Sequence, residues 1–307
     1  ALPNSDTVQA SDPATADRSA EPAQRLYHAN MTGQTVLDGD GLEARFDNGH
    51  FCGLVPEDSA SGHAPSHAAG FGVCDGGWLR DDQGAASFET LSAFTFEQGS
   101  LRGLTVRMLM ERDGFAEPGV LDLDYAVPDQ GPWLFLDAFL RYPQLQAEHA
   151  RDGLSSFLPY RVPLATLDPS TNPEEISIHL VYPDGSEYRQ TLGHPVQEAH
   201  EIGPTETPVT WCAGSVATLT VGSRALLALR VLAGNAKLVP EFALQLVRHS
   251  GSQQGDAMTV YLCPFGAFRD IPFSSWEGCS ERIQLGFTPR AEHALEMEES
   301  LGIGAYS

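Results

Sequence analysis

Alternation with a period of two runs through most of this chain. In LRGLTVRMLM, Leu104, Val106, Met108 and Met110 share one face, with Thr105 and Arg107 on the other. In VLDLDYAV, Leu121, Leu123, Tyr125 and Val127 alternate with Asp122, Asp124 and Ala126. Successive strand side chains point to opposite faces, so each pattern predicts a half-buried strand of an antiparallel sheet. WLFLDAF (133–139) is apolar on both faces and predicts a central strand. ISIHLVYPDGSEYRQTL (176–192) predicts a hairpin turning at Pro183-Asp184-Gly185. Five more strands are expected in VATLTV (216–221), RALLALRVL (224–232), PEFALQLVRH (240–249), MTVYLC (258–263) and ERIQLGF (281–287). RALLALRVL lacks strict alternation, which leaves a helix open there.

These segments predict an all-β fold: an antiparallel β-sandwich, jelly-roll or immunoglobulin-like, with short helices only at 143–152 and 290–301. The stretch GHPVQEAHEIGPTETPVT (193–210) is rich in Pro, Gly, Thr and Glu and reads as a linker. Two β domains are therefore expected, at 26–200 and 201–289, with one continuous β domain as the alternative. Residues 1–25 carry only scattered small apolar residues and are expected to be disordered or an assembly arm. Residues 290–307 form the C-terminal tail.

Composition supports the turn-rich picture, with 30 glycines and 21 prolines in 307 residues. The formal net charge is −23. Such a surface repels phosphate backbones and disfavours a nucleic-acid partner. No apolar run reaches the roughly 18–20 residues of a spanning helix, so an integral membrane role is not expected. Lys237 is the sole lysine, so positive charge is carried almost wholly by arginine. The chain begins at Ala1, as expected after signal-peptide removal, and an extracellular or periplasmic location is expected.

HFCGLVPEDSASGHAPSHAAGFGVC (50–74) collects three histidines and two cysteines. A zinc or copper site would use His50, His63 and His67, but it needs ligands converging at about 2.0–2.3 Å and partners to orient them. His63 and His67 are spaced for a helix that Gly62 and Pro65 oppose. A Cys52–Cys74 disulfide requires less, and closing that loop contributes about 3 kcal/mol in the chain-entropy account. Cys263 and Cys279 form a second expected pair, which leaves Cys212 over; no CxxC motif occurs. A disulfide and a His50/His63/His67 metal site can coexist.

Asp122 and Asp124 lie two apart, on one face of their strand. Paired carboxylates about 5–5.5 Å apart perform retaining glycoside hydrolysis, and wider pairs perform inverting hydrolysis. The plainer account is the wet face of an amphipathic strand. No cofactor is expected beyond calcium, for which acidic turns offer Asp38, Asp40 and Glu43, or Asp75, Asp81 and Asp82. The EF-hand pattern fails, since the fifth and twelfth places counted from Asp38 hold Leu42 and Gly49. There is no GxSxG elbow, GxGxxG or Walker sequence. Trp78, Trp133, Trp211 and Trp276 are candidates for stacking on sugars or for anchoring the core. Asn30-Met-Thr32 fits a glycosylation sequon.

Three readings follow. The first is an exported, non-enzymatic β-sandwich that binds an extracellular ligand, a glycan among them, or assembles with other protein subunits. The second is a carbohydrate-active enzyme or carbohydrate-binding module using Asp122 and Asp124. The third is a metal-binding protein using His50, His63 and His67.

Overall fold

The alternating segments become strands. The structure, a computed structural model, describes residues 24–30, 33–56, 78–81, 84–111, 115–146, 156–158, 162–167, 170–197, 212–235, 243–249, 257–263, 268–269 and 278–290. The first strands are β1 (Leu26–Asn30), β2 (Gln34–Gly39), β3 (Leu42–Asp47), β4 (His50–Pro56) and β5 (Trp78–Asp81). They are followed by β6 (Gly84–Gln98), β7 (Leu101–Met110), β8 (Phe115–Glu117), β9 (Gly119–Pro128) and β10 (Leu134–Arg141). Next come β11 (Gln144–Leu145), β12 (Ser156–Leu158), β13 (Val162–Leu167), β14 (Ile176–Val181), β15 (Glu187–Thr191) and β16 (Val196–Gln197). The last are β17 (Val216–Val221), β18 (Arg224–Asn235), β19 (Ala243–His249), β20 (Ala257–Cys263), β21 (Phe268–Arg269) and β22 (Ser280–Thr288).

One sheet of 13 strands runs β15-β14-β17-β18-β22-β10-β9-β7-β6-β5-β12-β21, with β1 added along β6. Facing it are a three-stranded sheet, β2-β3-β4, and a four-stranded sheet, β13-β20-β19-β16. These two meet where β4 lies beside β13, while β2 packs on β7 and β9 and β13 touches β18. The arrangement is the antiparallel β-sandwich that the alternation predicts; the short β16–β19 pairing is parallel.

Between the layers lies one apolar core. Leu104, Val106, Leu121, Leu123, Leu136 and Leu285 of the large sheet meet Leu42, Phe46, Phe51, Leu164, Leu246 and Val260 of the smaller sheets. Strands from both sides of 193–210 share the large sheet, because β17 joins β14 to β18 and β22 joins β18 to β10. The expected boundary at 200/201 therefore falls within one sheet and one core.

The 176–192 hairpin forms as expected, with Gly185 at φ +79° in its turn. RALLALRVL becomes part of β18, not a helix. Paired with β17 and β22, this strand buries Leu227 and Leu229 on one face and Ala228 and Arg230 on the other, which removes the alternation. Of the stretch 143–152, Gln144 and Leu145 form β11 instead of a helix. Residues 147–152, the arm 1–23 and the tail 291–307 lie outside the described residues. Among the described residues the sole helical element is a 3₁₀ turn, Pro173–Glu175, where the Asn172 side chain accepts from the Glu174 amide at 3.2 Å.

Candidate functional site

The outer face of the large sheet, turned away from the core, carries the candidate site. Strand register lines its side chains up in three rows across β6, β7, β9, β10 and β22. The first row is Ser92, Arg107, Asp122, Phe139 and Arg282; the second is Phe94, Thr105, Asp124, Asp137 and Gln284. The third is Phe96, Gly103, Ala126, Phe135 and Gly286. The first two rows except Gln284, with Arg25 just before β1 and Tyr27 within it, line an open groove of ≈ 680 Å³.

Within the groove each aspartate has an arginine. Arg107 grips Asp122 with two parallel bonds, Nε to Oδ1 at 2.6 Å and Nη2 to Oδ2 at 2.8 Å. Arg282 grips Asp137 in the same two-pronged way, with Nε donating to Oδ1 at 2.8 Å and Nη2 to Oδ2. Gln284 Nε2 adds a bond to Asp137 Oδ2 at 3.0 Å. Asp124 accepts from Thr105 Oγ1 at 2.6 Å and from Arg25 Nη1 at 2.8 Å. The planar guanidinium fork matches a carboxylate, so these pairs fix orientation as well as charge.

The bonds to Asp122 hold the Arg107 guanidinium above its usual pKa, and the bond to Asp137 does the same for Arg282. For Arg25 burial opposes the charge, and the bonds to Asp124 and Tyr27 more than offset it. Three positive and three negative groups leave the groove neutral within a strongly acidic protein. Phe94, Phe139 and Tyr27 add aromatic surface beside them.

Asp122 and Asp124, expected from their spacing, thus lie together in the groove. Asp137 stands directly across from Asp124 and was hidden in an apolar run; a lone charge in a strand apolar on both faces is the signal that a partner must exist. Arg25 and Arg282 come from opposite ends of the chain, and their spacing carries no signal. Glu281 faces inward, where it is 2% exposed and accepts from the buried Tyr142 hydroxyl at 2.9 Å, so it does not serve the groove.

His50 sits at the start of β4, away from this groove. Its Nδ1 is buried with no hydrogen-bond partner among the described residues, and its Nε2 lies 3.4 Å from the Thr90 hydroxyl. Burial pushes its pKa down, against a smaller upward pull from Asp47. His63 and His67 lie outside the described residues. Among the described residues no group of three or more His, Cys, Asp or Glu side chains could hold a metal ion. Asp38 and Asp40 flank the β2–β3 turn, and Asp40 accepts from the Gly131 amide at 3.3 Å. Asp75, Asp82 and the Asp81 side chain lie outside the described residues.

Among the described residues no disulfide is seen. Cys52 Sγ donates to the His50 carbonyl at 3.3 Å, Cys279 and Cys212 are exposed thiols, and the Cys263 side chain lies outside the described residues. Cys263 ends a strand of the four-stranded sheet, whereas Cys279 precedes β22 in the large one. Cys74 lies outside the described residues. Trp133 is buried against Phe135, Val216 and Ala228 and anchors the sheet; it is not a sugar platform. Trp211, Trp276 and the Trp78 side chain lie outside the described residues, as does the sequon at Met31 and Thr32.

No protein-family model matches the sequence, and no curated protein matches it. Among solved structures the chain is similar to the α-N-acetylgalactosaminidase NagBb from Bifidobacterium bifidum, at 11% identity and TM-score 0.43, over 87% of this chain and 38% of that one. It is similar to the GH36 α-galactosidase AgaB from Geobacillus stearothermophilus, at 11% identity and TM-score 0.39, over 85% and 41% of the two chains. It is also similar to a galactose mutarotase related enzyme from Lactobacillus acidophilus, at 8% identity and TM-score 0.40, over 84% and 97%. The chain spans about two fifths of the length of the two glycosidases.

Proposed function

We propose that this chain is a non-enzymatic, carbohydrate-binding β-sandwich whose ligand lies in the outer groove. The observation that carries the reading is the set of three aspartate–arginine pairs held among Phe94, Phe139 and Tyr27. A sugar hydroxyl both donates and accepts, and the groove offers carboxylate acceptors and guanidinium donors at fixed positions. Aromatic rings suit the apolar C–H faces of a pyranose, and a groove of this size with a few oriented polar groups is a common form of small-ligand site. Net neutrality favours an uncharged polyol over an acidic one.

The same pairs speak against hydrolysis by Asp122 and Asp124. Glycoside cleavage needs one carboxyl that arrives protonated and gives its proton to the leaving oxygen. Here all three carboxylates are engaged as acceptors by guanidinium groups across the groove. An exported binder would meet polysaccharides, so an extracellular or periplasmic location belongs to this proposal.

A glycan array probed with the wild-type chain and with Arg107→Ala/Arg282→Ala tests it, alongside a hydrolysis panel on polysaccharides. The expected result is selective retention of neutral glycans, lost by about tenfold or more in the variant, with no turnover. Equal binding by both proteins would remove the groove from consideration. Turnover abolished by Asp122→Asn or Asp124→Asn would replace the binding module with an enzyme.

A further inference from the structure

The groove is closed at one end. In its third row Phe96 is 1% exposed, Ala126 1% and Phe135 4%. On the far side of the first row, the outward positions Leu109, Val120 and Arg141 are only half-buried, and Glu89 and Ser280 are exposed. Burial therefore rises steeply along the strands in one direction and does not rise in the other.

The closed end has a definite construction. Phe96 lies across Gly103 so closely that a Cβ there would sit 2.2 Å from the ring. The Arg25 guanidinium lies over the face of that ring, 4.1 Å from its centroid. Nη1 donates to Asp124 at 2.8 Å and to the Tyr27 hydroxyl at 3.5 Å, and Nε donates to Gln98 at 3.1 Å. A cation over an aromatic face is attracted by the ring quadrupole, and bonds to separate partners restrict its remaining freedom. Ring and guanidinium stack as a wall two layers thick, and Asp124 belongs both to that wall and to the groove floor.

We propose that this Arg25–Phe96 wall makes the groove a recogniser of chain ends: it takes the terminal residues of a neutral glycan and excludes internal stretches, which would have to continue through the wall. The inference rests on the carbohydrate reading of the groove and specifies which part of the glycan enters it. Arg25 is the specificity-determining residue, since it forms the outer layer of the wall. It lies just before β1, an edge strand that pairs with β6 alone among the described residues.

The test titrates wild type and Arg25→Ala with linear gluco-, galacto-, manno- and xylo-oligosaccharides, from disaccharides to octasaccharides, and with their parent polysaccharides. For the glycan series that binds, wild type should saturate at one protein per chain end whatever the chain length. Its dissociation constant should stay level beyond the shortest members. In Arg25→Ala the groove opens, and stoichiometry on the polysaccharide should rise with chain length, with about a tenfold gain in apparent affinity for long chains. Wild-type stoichiometry that already multiplies with chain length would overturn the closed end and leave the carbohydrate reading intact. Binding of no oligosaccharide or polysaccharide would remove both. Should Arg25→Ala fail to fold by circular dichroism, the wild-type length series decides alone.

Discussion

On β7, β9, β10 and β22 one alternation builds two faces that are held by different physics. Inward, Leu104, Leu121, Leu123, Leu136 and Leu285 are buried against the smaller sheets. Their contribution scales with area removed from water and needs no particular partner. Outward, the intervening positions hold Arg107, Asp122, Asp124, Asp137 and Arg282, each bonded to a specific group across a strand boundary. Exposed ion pairs contribute only about 0–1 kcal/mol each. The outer pairs thus add little to stability and a great deal to the exact placement of donors and acceptors. Stability is concentrated on the inner face and recognition on the outer one.

That division can be broken by mutation, and the effects should fall in order from the inner face outward. Leu123→Ala, at a fully buried inward position, should cost about 2–5 kcal/mol in denaturant unfolding. A loss below about 1 kcal/mol there would contradict the assignment of the core. Gly103→Ala places a Cβ 2.2 Å from the Phe96 ring and 2.4 Å from the Tyr125 carbonyl. It should cost about 1–3 kcal/mol and shift Arg25 off its perch, visible as a lower Tm together with altered chain-length selectivity.

His50 sharpens the comparison through pH. Burial lowers its pKa, so the unfolded chain takes up a proton more readily than the folded one. The stability this neutral ring contributes is present above about pH 6.5 and is lost as pH falls through the folded value. His50→Gln should flatten that acidic limb in a series of urea melts, and an unchanged limb would place the acid sensitivity elsewhere. The smallest effect belongs to the outer face: Asp122→Asn should change stability by less than about 1 kcal/mol, since Arg107 is largely exposed. Its glycan binding should nevertheless fall by roughly tenfold, because the donor fork loses its anchor.

The strands at 101–110, 121–128, 134–141 and 176–191 were legible because alternation is a local property of sequence. Asp122 and Asp124 were legible as neighbours on one face for the same reason. What could not be read was register. Which residue of β22 stands beside Asp137 depends on pairing across about 145 positions of chain, and a shift by one residue would send every side chain to the other face. Arg25 was placed within an arm without periodicity, since a single ordered cation leaves no pattern. The cysteine spacings suggested loop closure, but Cys74 and the Cys263 side chain, one partner of each expected pair, lie outside the described residues. RALLALRVL was ambiguous because a strand buried on both faces has no polar side to show.

The central claim is that the three groove arginines meet the ligand. Arginine side-chain Nε–Hε resonances observed by NMR, as the glycan selected by the array is titrated in, test it residue by residue. Arg25, Arg107 and Arg282 should shift together and saturate at one common affinity, while the exposed Arg189 of β15 and Arg224 of β18 stay in place. Shifts confined to arginines outside the groove, or three groove signals unmoved at saturation, would contradict the account.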